Sequence, residues 1–280
     1  MVLIFSVNIV VMTSCVEDLL EENIDDIVLE EQHEIIVEMG ESITDIDGNV
    51  YPTVHIGEQR WTTENLKTTR YANGDTVHHV SDDEEWLSMA LGAPHFDHGA
   101  WCYYNNEESN NADYGKLYNW HAAADERNLC PTGWRVPTDE DWHRLAKYLD
   151  VNAKIDSTWL GIIIRTNGIE SEKAGGFLKS TGTLENGDGL WLSPNVGADN
   201  SSLFNATPSG GRMIIIASSG VYLDFIELNR GAAYWTSTER AIDAPPESAA
   251  HFRIVSFDTP YLEQRTVSKR SGFCVRCIKE

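Results

Sequence analysis

Five cysteines carry the most versatile chemistry in this sequence of 280 residues: Cys15, Cys102, Cys130, Cys274 and Cys277. A thiol can carry a lipid, close a disulfide, ligate zinc or act as a nucleophile when its pKa is lowered. Cys274 and Cys277 form a Cys-x-x-Cys pair, but residues i and i+3 of a strand point to opposite faces. No second pair of this kind completes a four-cysteine zinc site. Redox or zinc chemistry at this pair is therefore disfavoured.

Histidines are concentrated in one stretch, at His78, His79, His95 and His98, with Asp97 between the last two. A metal site needs three or more such side chains to converge on one point. The sequence gives no sign of convergence, so we interpret these residues as solvated side chains of loops. We predict no metal site.

A short acidic motif, Asp45-x-Asp47-Gly48, invites comparison with a calcium-binding loop. The EF-hand pattern places Gly at position 6 and acids at positions 1 and 12. With Gly48 at position 6, those two positions are Ile43 and Val54, so the pattern fails. Asp-Gly between two runs of β-branched residues instead predicts a hairpin turn, because Gly adopts a positive φ at little cost.

The nine tryptophans could stack on sugars, but aromatic side chains gain so much from burial that most are expected in the core. Trp159 and Trp191 lie in Gly- and Ser-rich stretches that are typical of loops. They are therefore the candidate ligand-binding residues.

Charge and missing motifs argue against several classes of function. The formal net charge is −23, no Lys or Arg precedes Arg60, and the remainder of the chain carries 30 acids and 21 bases. Without a basic stripe to contact phosphates, nucleic acid is an unfavourable partner. The sequence has neither a G-x-S-x-G elbow nor a phosphate-binding loop. We therefore predict a protein that is not an enzyme and that needs no cofactor.

The N-terminal stretch MVLIFSVNIVVMTSC is apolar but too short for the roughly 20 residues of a membrane-spanning helix. We predict a signal peptide over residues 1–14. The tetrapeptide MTSC, which ends at Cys15, resembles the bacterial lipobox and implies a lipid on that cysteine. An ordinary cleaved signal peptide remains the alternative.

Residues 15–41 are rich in acids, which repel one another and predict a tether rather than a stable helix. Glu17 and Asp18 directly after the cysteine resemble the export signal of Bacteroidetes-type surface lipoproteins. We therefore expect an exported protein that is lipid-anchored to the bacterial outer membrane, with its domain exposed outside the cell.

Residues 42–280 are predicted to form one α+β domain with many loops. The local patterns predict short strands over 42–66 and antiparallel strands after about residue 160. They also predict three helices. The first begins at Ser81, where Glu84 completes a capping box, the second covers 113–126, and the third is capped by Thr138. No linker and no repeat of fixed period interrupts this stretch.

An ordered set of motifs in this domain resembles one known family. The motifs are DIDGNVYPTVHIGEQRWTTENLKT, WCYYNNEE, YGKLYNWHAA, CPTGWRVPTDEDW, FNATPSGGR, AAYWTSTE and GFCVRCIK. In this order they resemble the Fibrobacter succinogenes major paralogous domain, over roughly residues 43–280. Some of them also resemble the C-type-lectin-like superfamily, including the formylglycine-generating sulfatase-modifying factors. The resemblance implies a C-type-lectin-like fold with short helices, small irregular antiparallel sheets and long loops.

The resemblance also implies a disulfide pairing. Four cysteines remain if Cys15 carries lipid, and they allow three pairings. The lectin-like fold usually ties its first helix region to the last strand, which favours Cys130–Cys277 and leaves Cys102–Cys274 as a candidate second pair. The segment CPTGWRVPTDEDW would then be a structural clasp, with Trp134 and Trp142 buried.

The sequence hypothesis is an exported, lipid-anchored surface protein with a non-enzymatic binding domain. Its partners would be the membrane, through the anchor, and a glycan or another surface protein. One alternative is an enzyme related to the sulfatase-modifying factors, which would need a reactive thiol at Cys274 or Cys277. A second alternative is a structural or adhesin-like component of a surface assembly.

Overall fold

A computed structural model describes residues 35–88, 99–154, 168–217, 220–240 and 249–280. The predicted signal peptide, Cys15 and most of the tether lie outside the described residues, as do His95, His98 and Trp159. Among the described residues, no helix is long and apolar enough to cross a membrane.

Short strands make up most of the regular structure. The strands are β1 (Val37–Thr44), β2 (Val50–Ile56), β3 (Gln59–Thr62), β4 (His78–His79), β5 (Ala100–Cys102), β6 (Leu117–Tyr118), β7 (Trp134–Arg135), β8 (Ile169–Ser171), β9 (Ser209–Ala217), β10 (Gly220–Leu228), β11 (Gly231–Glu239), β12 (Ala249–Ser256), β13 (Leu262–Ser268) and β14 (Ile278–Lys279). The helices are α1 (Asp83–Ser88), α2 (Asn111–Tyr114), α3 (Trp120–Ala123), α4 (Asp139–Leu149) and α5 (Ala174–Leu178).

The strands form three sheets in the described residues. A five-stranded sheet has the order β1-β2-β3-β14-β7, a six-stranded sheet the order β10-β9-β11-β12-β13-β8, and a three-stranded sheet the order β4-β5-β6. Most neighbouring strands are antiparallel; the parallel pairs are β4 with β5 and β9 with β11. The predicted mixed α+β class, with small antiparallel sheets and few short helices, is confirmed.

Helix α4 is the longest described helix and forms as its sequence predicts. Thr138 caps it through a hydrogen bond from the backbone N–H of Asp141, and the Asp141 carboxylate accepts in return from the Thr138 N–H. Arg135 and Arg144 also donate to Asp141. Trp142 is fully buried on the inner face of α4, where its ring centroid lies 5.0 Å from that of Trp61.

Buried charges attach α4 to the six-stranded sheet. The Arg253 guanidinium on β12 is fully buried; it donates to Glu170 on β8 and to Asp139 at the start of α4, each at 2.5 Å. Glu170 also lies 2.8 Å from a ring nitrogen of His143 on α4. This network covers one face of β12, so the opposite face of the strand is the one that can meet a ligand.

The disulfide Cys130–Cys277 is present, as the family resemblance implies, with its Cα atoms 5.9 Å apart and a separation of 147 positions in sequence. It joins the segment before α4 to the segment before β14. Trp134 is buried in the same core cluster as the two cysteines, and Trp142 is buried in the other core cluster. The interpretation of residues 130–142 as a clasp is therefore confirmed. Cys102 and Cys274, the candidate second pair, are free buried thiols.

Two predictions of local structure differ from the described fold. The helix over 113–126 is wrong: α2 ends at Tyr114, and the chain pairs as β6 before α3 begins at Trp120. Gly115 has a φ of 70°, which interrupts the helix. The helix from Ser81 begins at Asp83 instead, because the Asp82 carboxylate accepts from the backbone N–H of Glu85.

The start of the domain is also earlier than predicted. β1 begins at Val37, inside the stretch assigned to the tether, and pairs antiparallel with β2 from Val37↔Ile56 onward. The predicted Asp-Gly turn joins these two strands and is confirmed, with Gly48 at a φ of 87°. The Asp45 carboxylate accepts hydrogen bonds from the turn and from the Tyr51 hydroxyl, so it holds the hairpin together.

Candidate functional site

A cavity with a volume of about 570 Å³ lies on one face of the six-stranded sheet. We call it the sheet trough. Its lining comes from β8 through β13, from the loop between β12 and β13, and from Phe273. A pocket of this size is in the range that holds a small ligand or a side chain of a partner.

The trough exists because two neighbouring strands diverge. β9 and β11 pair at one position, Ala232↔Gly210, and then separate. The C-terminal segment enters the gap, where Gly272 bridges β9 and Cys274 bridges β11. The ring of Phe273 lies against Gly211 so closely that a Cβ there would be 2.6 Å from ring carbons. Glycine at position 211 is therefore needed for the closed end of the trough.

Strand register places small residues on the floor and larger apolar residues beside them. Gly231 lies opposite Ser256, and Ala233 lies opposite Ile254, all on the trough face. A Cβ added at Gly231 would have its nearest neighbours at 3.6 Å or more, which is ordinary contact distance. Gly231 is thus a position where the trough can be filled without displacing the backbone.

Charged side chains of both signs surround the opening. Arg265 on β13 forms an ion pair with Glu263. The Arg230 guanidinium lies 5.5 Å from the centroid of the Phe257 ring, in cation–π geometry. Glu227 and Asp258 are exposed, and the ion pairs found among the described residues include neither of them.

The buried side chain of Lys179 holds one wall of the trough through hydrogen bonds to its backbone. Its side chain is fully buried, and its ammonium donates to the backbone carbonyl oxygens of Val196, Ser256 and Thr259 at 2.8–2.9 Å. Burial lowers the pKa of Lys179 to about 8, while the nearby Asp258 acts in the opposite direction. Since Ser256 and Thr259 line the trough, the buried lysine holds the shape of this wall.

Trp191 is not a surface residue, and its predicted exposure is wrong. The side chain is fully buried in the core, and its indole N–H donates to Ser180 Oγ at 3.0 Å and to the Ala206 carbonyl at 3.2 Å. The Lys179 ammonium lies 5.5 Å from its ring centroid. Glycines and serines around Trp191 mark irregular backbone, but that backbone folds over the indole because aromatic burial is favourable.

The two free thiols are buried and have low reactivity. Cys102 and Cys274 are fully buried, and burial raises the pKa of Cys102 to about 12 and that of Cys274 to about 11. The thiolate, which is the reactive form, is therefore scarce at neutral pH. Cys274 and Cys277 also belong to different core clusters.

We expect the native protein to resist thiol modification. At pH 7.5, iodoacetamide should leave Cys102 and Cys274 unmodified over an hour, because both lack solvent access and thiolate character. In urea without reductant, the same reagent should modify both while Cys130 and Cys277 stay protected by their bond. Mass mapping of the peptides measures this; rapid modification of Cys274 in the native state would contradict it.

Metal-ligating side chains do not converge in the part of the chain that the structure describes: no group of three or more His, Cys, Asp and Glu residues there could hold an ion. His78 lies 3.0 Å from Glu85, and His79 stacks on Trp101 with centroids 4.1 Å apart. These two histidines thus have protein partners in the three-stranded sheet and its neighbouring helix.

Sequence reasoning missed the trough residues. Gly231 and Ala233 lie in the run GAAYWTSTE, where Ala232 between them is equally small, so small and large residues do not alternate there. The sequence therefore does not mark these residues as a cavity floor, because the opening above them depends on where β9 and Phe273 lie.

A family model described as the Fibrobacter succinogenes major domain matches residues 54–279 of this chain. The matched range contains every residue that lines the sheet trough, the buried Lys179 and both cysteines of the disulfide. No curated protein and no solved structure matches the chain.

Proposed function

The chain belongs to the Fibrobacter succinogenes major domain family, and on that premise we propose that it is an exported, lipid-anchored surface protein whose domain binds a ligand without catalysing a reaction. The observation that carries the binding role is the sheet trough, a cavity of about 570 Å³ with an apolar floor and charged opening. Its wall is preorganised by the buried Lys179, and a rigid site loses less entropy when a ligand binds.

We also propose that the fold is C-type-lectin-like. Support comes from the small antiparallel sheets, the short helices and the disulfide that joins the segment before α4 to the C-terminal strand region. A bridge over 147 residues, close to the last strand, is the feature that the resemblance to that superfamily implies.

Binding is favoured over oxidase chemistry by the state of the cysteines. An enzyme related to the sulfatase-modifying factors would need a reactive thiol at Cys274 or Cys277. Cys277 is bonded to Cys130, and Cys274 is buried with a raised pKa. A thiol in either condition is a poor nucleophile.

The lipid anchor is tested by metabolic labelling. We expect a palmitate analogue to label the wild-type protein in a bacterial host and to leave the Cys15→Ala variant unlabelled, because the lipobox-like MTSC offers that cysteine as the acceptor. Cys102→Ala is the matched control, since it also removes one cysteine and should label normally. Labelling of Cys15→Ala at the wild-type level would refute the anchor.

The binding role is tested by filling the trough. Arrays of glycans and of bacterial surface proteins are probed with the wild type, with Gly231→Leu, which places a side chain in the cavity, and with Gly231→Ala as the control. The proposal expects binding by the wild type and by Gly231→Ala, and its loss in Gly231→Leu. Near-UV circular dichroism confirms that the leucine variant is folded. Equal binding by the three proteins would rule out the trough as the ligand site.

A further inference from the structure

We propose that the ligand of the sheet trough is an extended segment of a partner protein, which inserts one aliphatic or aromatic side chain between β9 and β12 with a Lys or Arg beside it. This inference rests on the proposed function, since it names the class of ligand for the same site. Three observations carry it: the composition of the floor and walls, the orientation of the phenylalanine rings, and the charges at the opening.

The floor and walls are suited to an apolar side chain. Gly231 and Ala233 form a low floor, and the partly buried side chains of Met213, Ile226 and Ile254 stand beside it. Apolar atoms left accessible in a concave site gain free energy when a partner's side chain removes them from water. Methionine adapts its shape to different side chains, which suits a site that accepts an anchor residue.

The phenylalanine rings of the trough are poorly placed to stack on a sugar. Phe252 and Phe273 are 4% and 2% exposed, and their centroids lie 4.7 Å apart. The ring centroid of Trp235 lies 4.9 Å from that of Phe273. The face of Phe257 is approached by the Arg230 guanidinium. Stacking on a pyranose needs an open ring face, so these contacts favour a side chain over a glycan.

The charges favour a cationic residue next to that side chain. Glu263 is already paired with Arg265, whereas Glu227 and Asp258 are exposed and form no ion pair with a described residue. Glu227 follows Ile226, and both residues line the trough, so Glu227 is next to the apolar wall that would contact the anchor. From Arg60 onward the chain carries 30 acids and 21 bases, an excess of acids that favours a basic segment over an acidic one.

The test uses the full-length chain, labelled at the methyl groups of methionine and isoleucine, with four probes. Three are blocked pentapeptides: Gly-Lys-Leu-Lys-Gly, Gly-Lys-Ala-Lys-Gly and Gly-Glu-Leu-Glu-Gly. The fourth is a set of methyl hexopyranosides. We expect the Lys-Leu-Lys peptide to shift the methyl signals of Met213, Ile226 and Ile254, with an affinity about tenfold higher than either other peptide, since removing the apolar anchor or reversing the charge costs roughly that much.

Variants separate the two components of recognition. Gly231→Leu should abolish the shifts, and Gly231→Ala should retain them. Glu227→Gln and Asp258→Asn change exposed side chains and leave folding intact. Because each removes a negative charge at the opening, each should reduce the ratio of the affinity for the Lys-Leu-Lys peptide to that for the Glu-Leu-Glu peptide. Absence of any shift with the Lys-Leu-Lys peptide would overturn the inference, as would equal affinities for the three peptides.

The outcomes distinguish this inference from the proposed function. If the hexopyranosides shift the trough methyls and the peptides do not, the ligand class is wrong and the binding role of the trough stands. If no probe shifts them, and the arrays also bind the wild type and Gly231→Leu equally, then the proposed binding site fails as well.

Discussion

Replacement of Lys179 by methionine is expected to lower the free energy of unfolding by about 3–5 kcal/mol, because the change removes a buried ammonium that donates to three partly buried carbonyl oxygens. Methionine is similar in length and fills most of the same space, so the loss reports the missing ammonium rather than a large cavity. The measurement is urea unfolding followed by tryptophan fluorescence, compared with the wild type.

The same variant should also weaken ligand binding at the trough. Two of the three carbonyls belong to Ser256 and Thr259, which line the cavity, so their release lets the wall move. Lys173→Met is the matched control: Lys173 is exposed, lies six positions away and should change stability by less than about 0.5 kcal/mol. Equal stabilities for the two variants would show that Lys179 does not hold the wall.

Loss of the Cys130–Cys277 disulfide is expected to cost about 4–5 kcal/mol, the value that the loop-entropy model gives for closing a loop of this length. The double variant Cys130→Ala/Cys277→Ala removes the bond and leaves no unpaired thiol at either position. Its unfolding midpoint in urea should fall well below that of the wild type, and reductant should not lower it further.

Reductant provides the internal control for this prediction. Because both cysteines are fully buried, the native bond should resist dithiothreitol, and the wild type should lose stability only when it is unfolded and refolded under reducing conditions. An unfolding midpoint for the double variant within error of the wild-type value would contradict a stabilising role for the clasp.

Residues next to the disulfide make further buried contacts, so we expect its loss to lower the stability of the whole domain. Arg276, next to Cys277, is fully buried; its guanidinium donates to the Asn65 side chain and to the backbone carbonyls of Thr62, Phe204 and Asn205. These contacts join the five-stranded sheet to the long loop before β9. The segment VRC therefore combines a covalent bond and a buried cation within two residues.

Several features could be predicted from the sequence because they depend on neighbouring residues. Helix α4 follows from the Thr138 cap, the acids of its first turn and the spacing of Trp142, Leu145 and Leu149. The β1–β2 turn follows from Asp-Gly. The family resemblance rests on ordered motifs and is confirmed by the match over residues 54–279, and the disulfide that it implies is present.

Other features were decided only by the tertiary structure. Trp191 has a loop-like sequence context, yet its loop folds back over it and places Lys179 beside the ring. The predicted helix over 113–126 is interrupted at Leu117, which pairs antiparallel with Cys102 of β5. In both places a contact between residues distant in sequence outweighs the local preference, which is worth less than burial of an aromatic or apolar side chain.

The sequence by itself determined the family, the mixed α+β class, the main helix and the acidic character of the chain. The trough required the tertiary structure, because it is the gap left where β9 and β11 diverge around Phe273. Gly231, Ile254 and Glu227 lie outside the sequence motifs, and nothing in the motif AAYWTSTE marks Ala233 as part of a cavity. They become a candidate site because strand register brings them to one face and because Lys179 anchors the neighbouring wall from within the core.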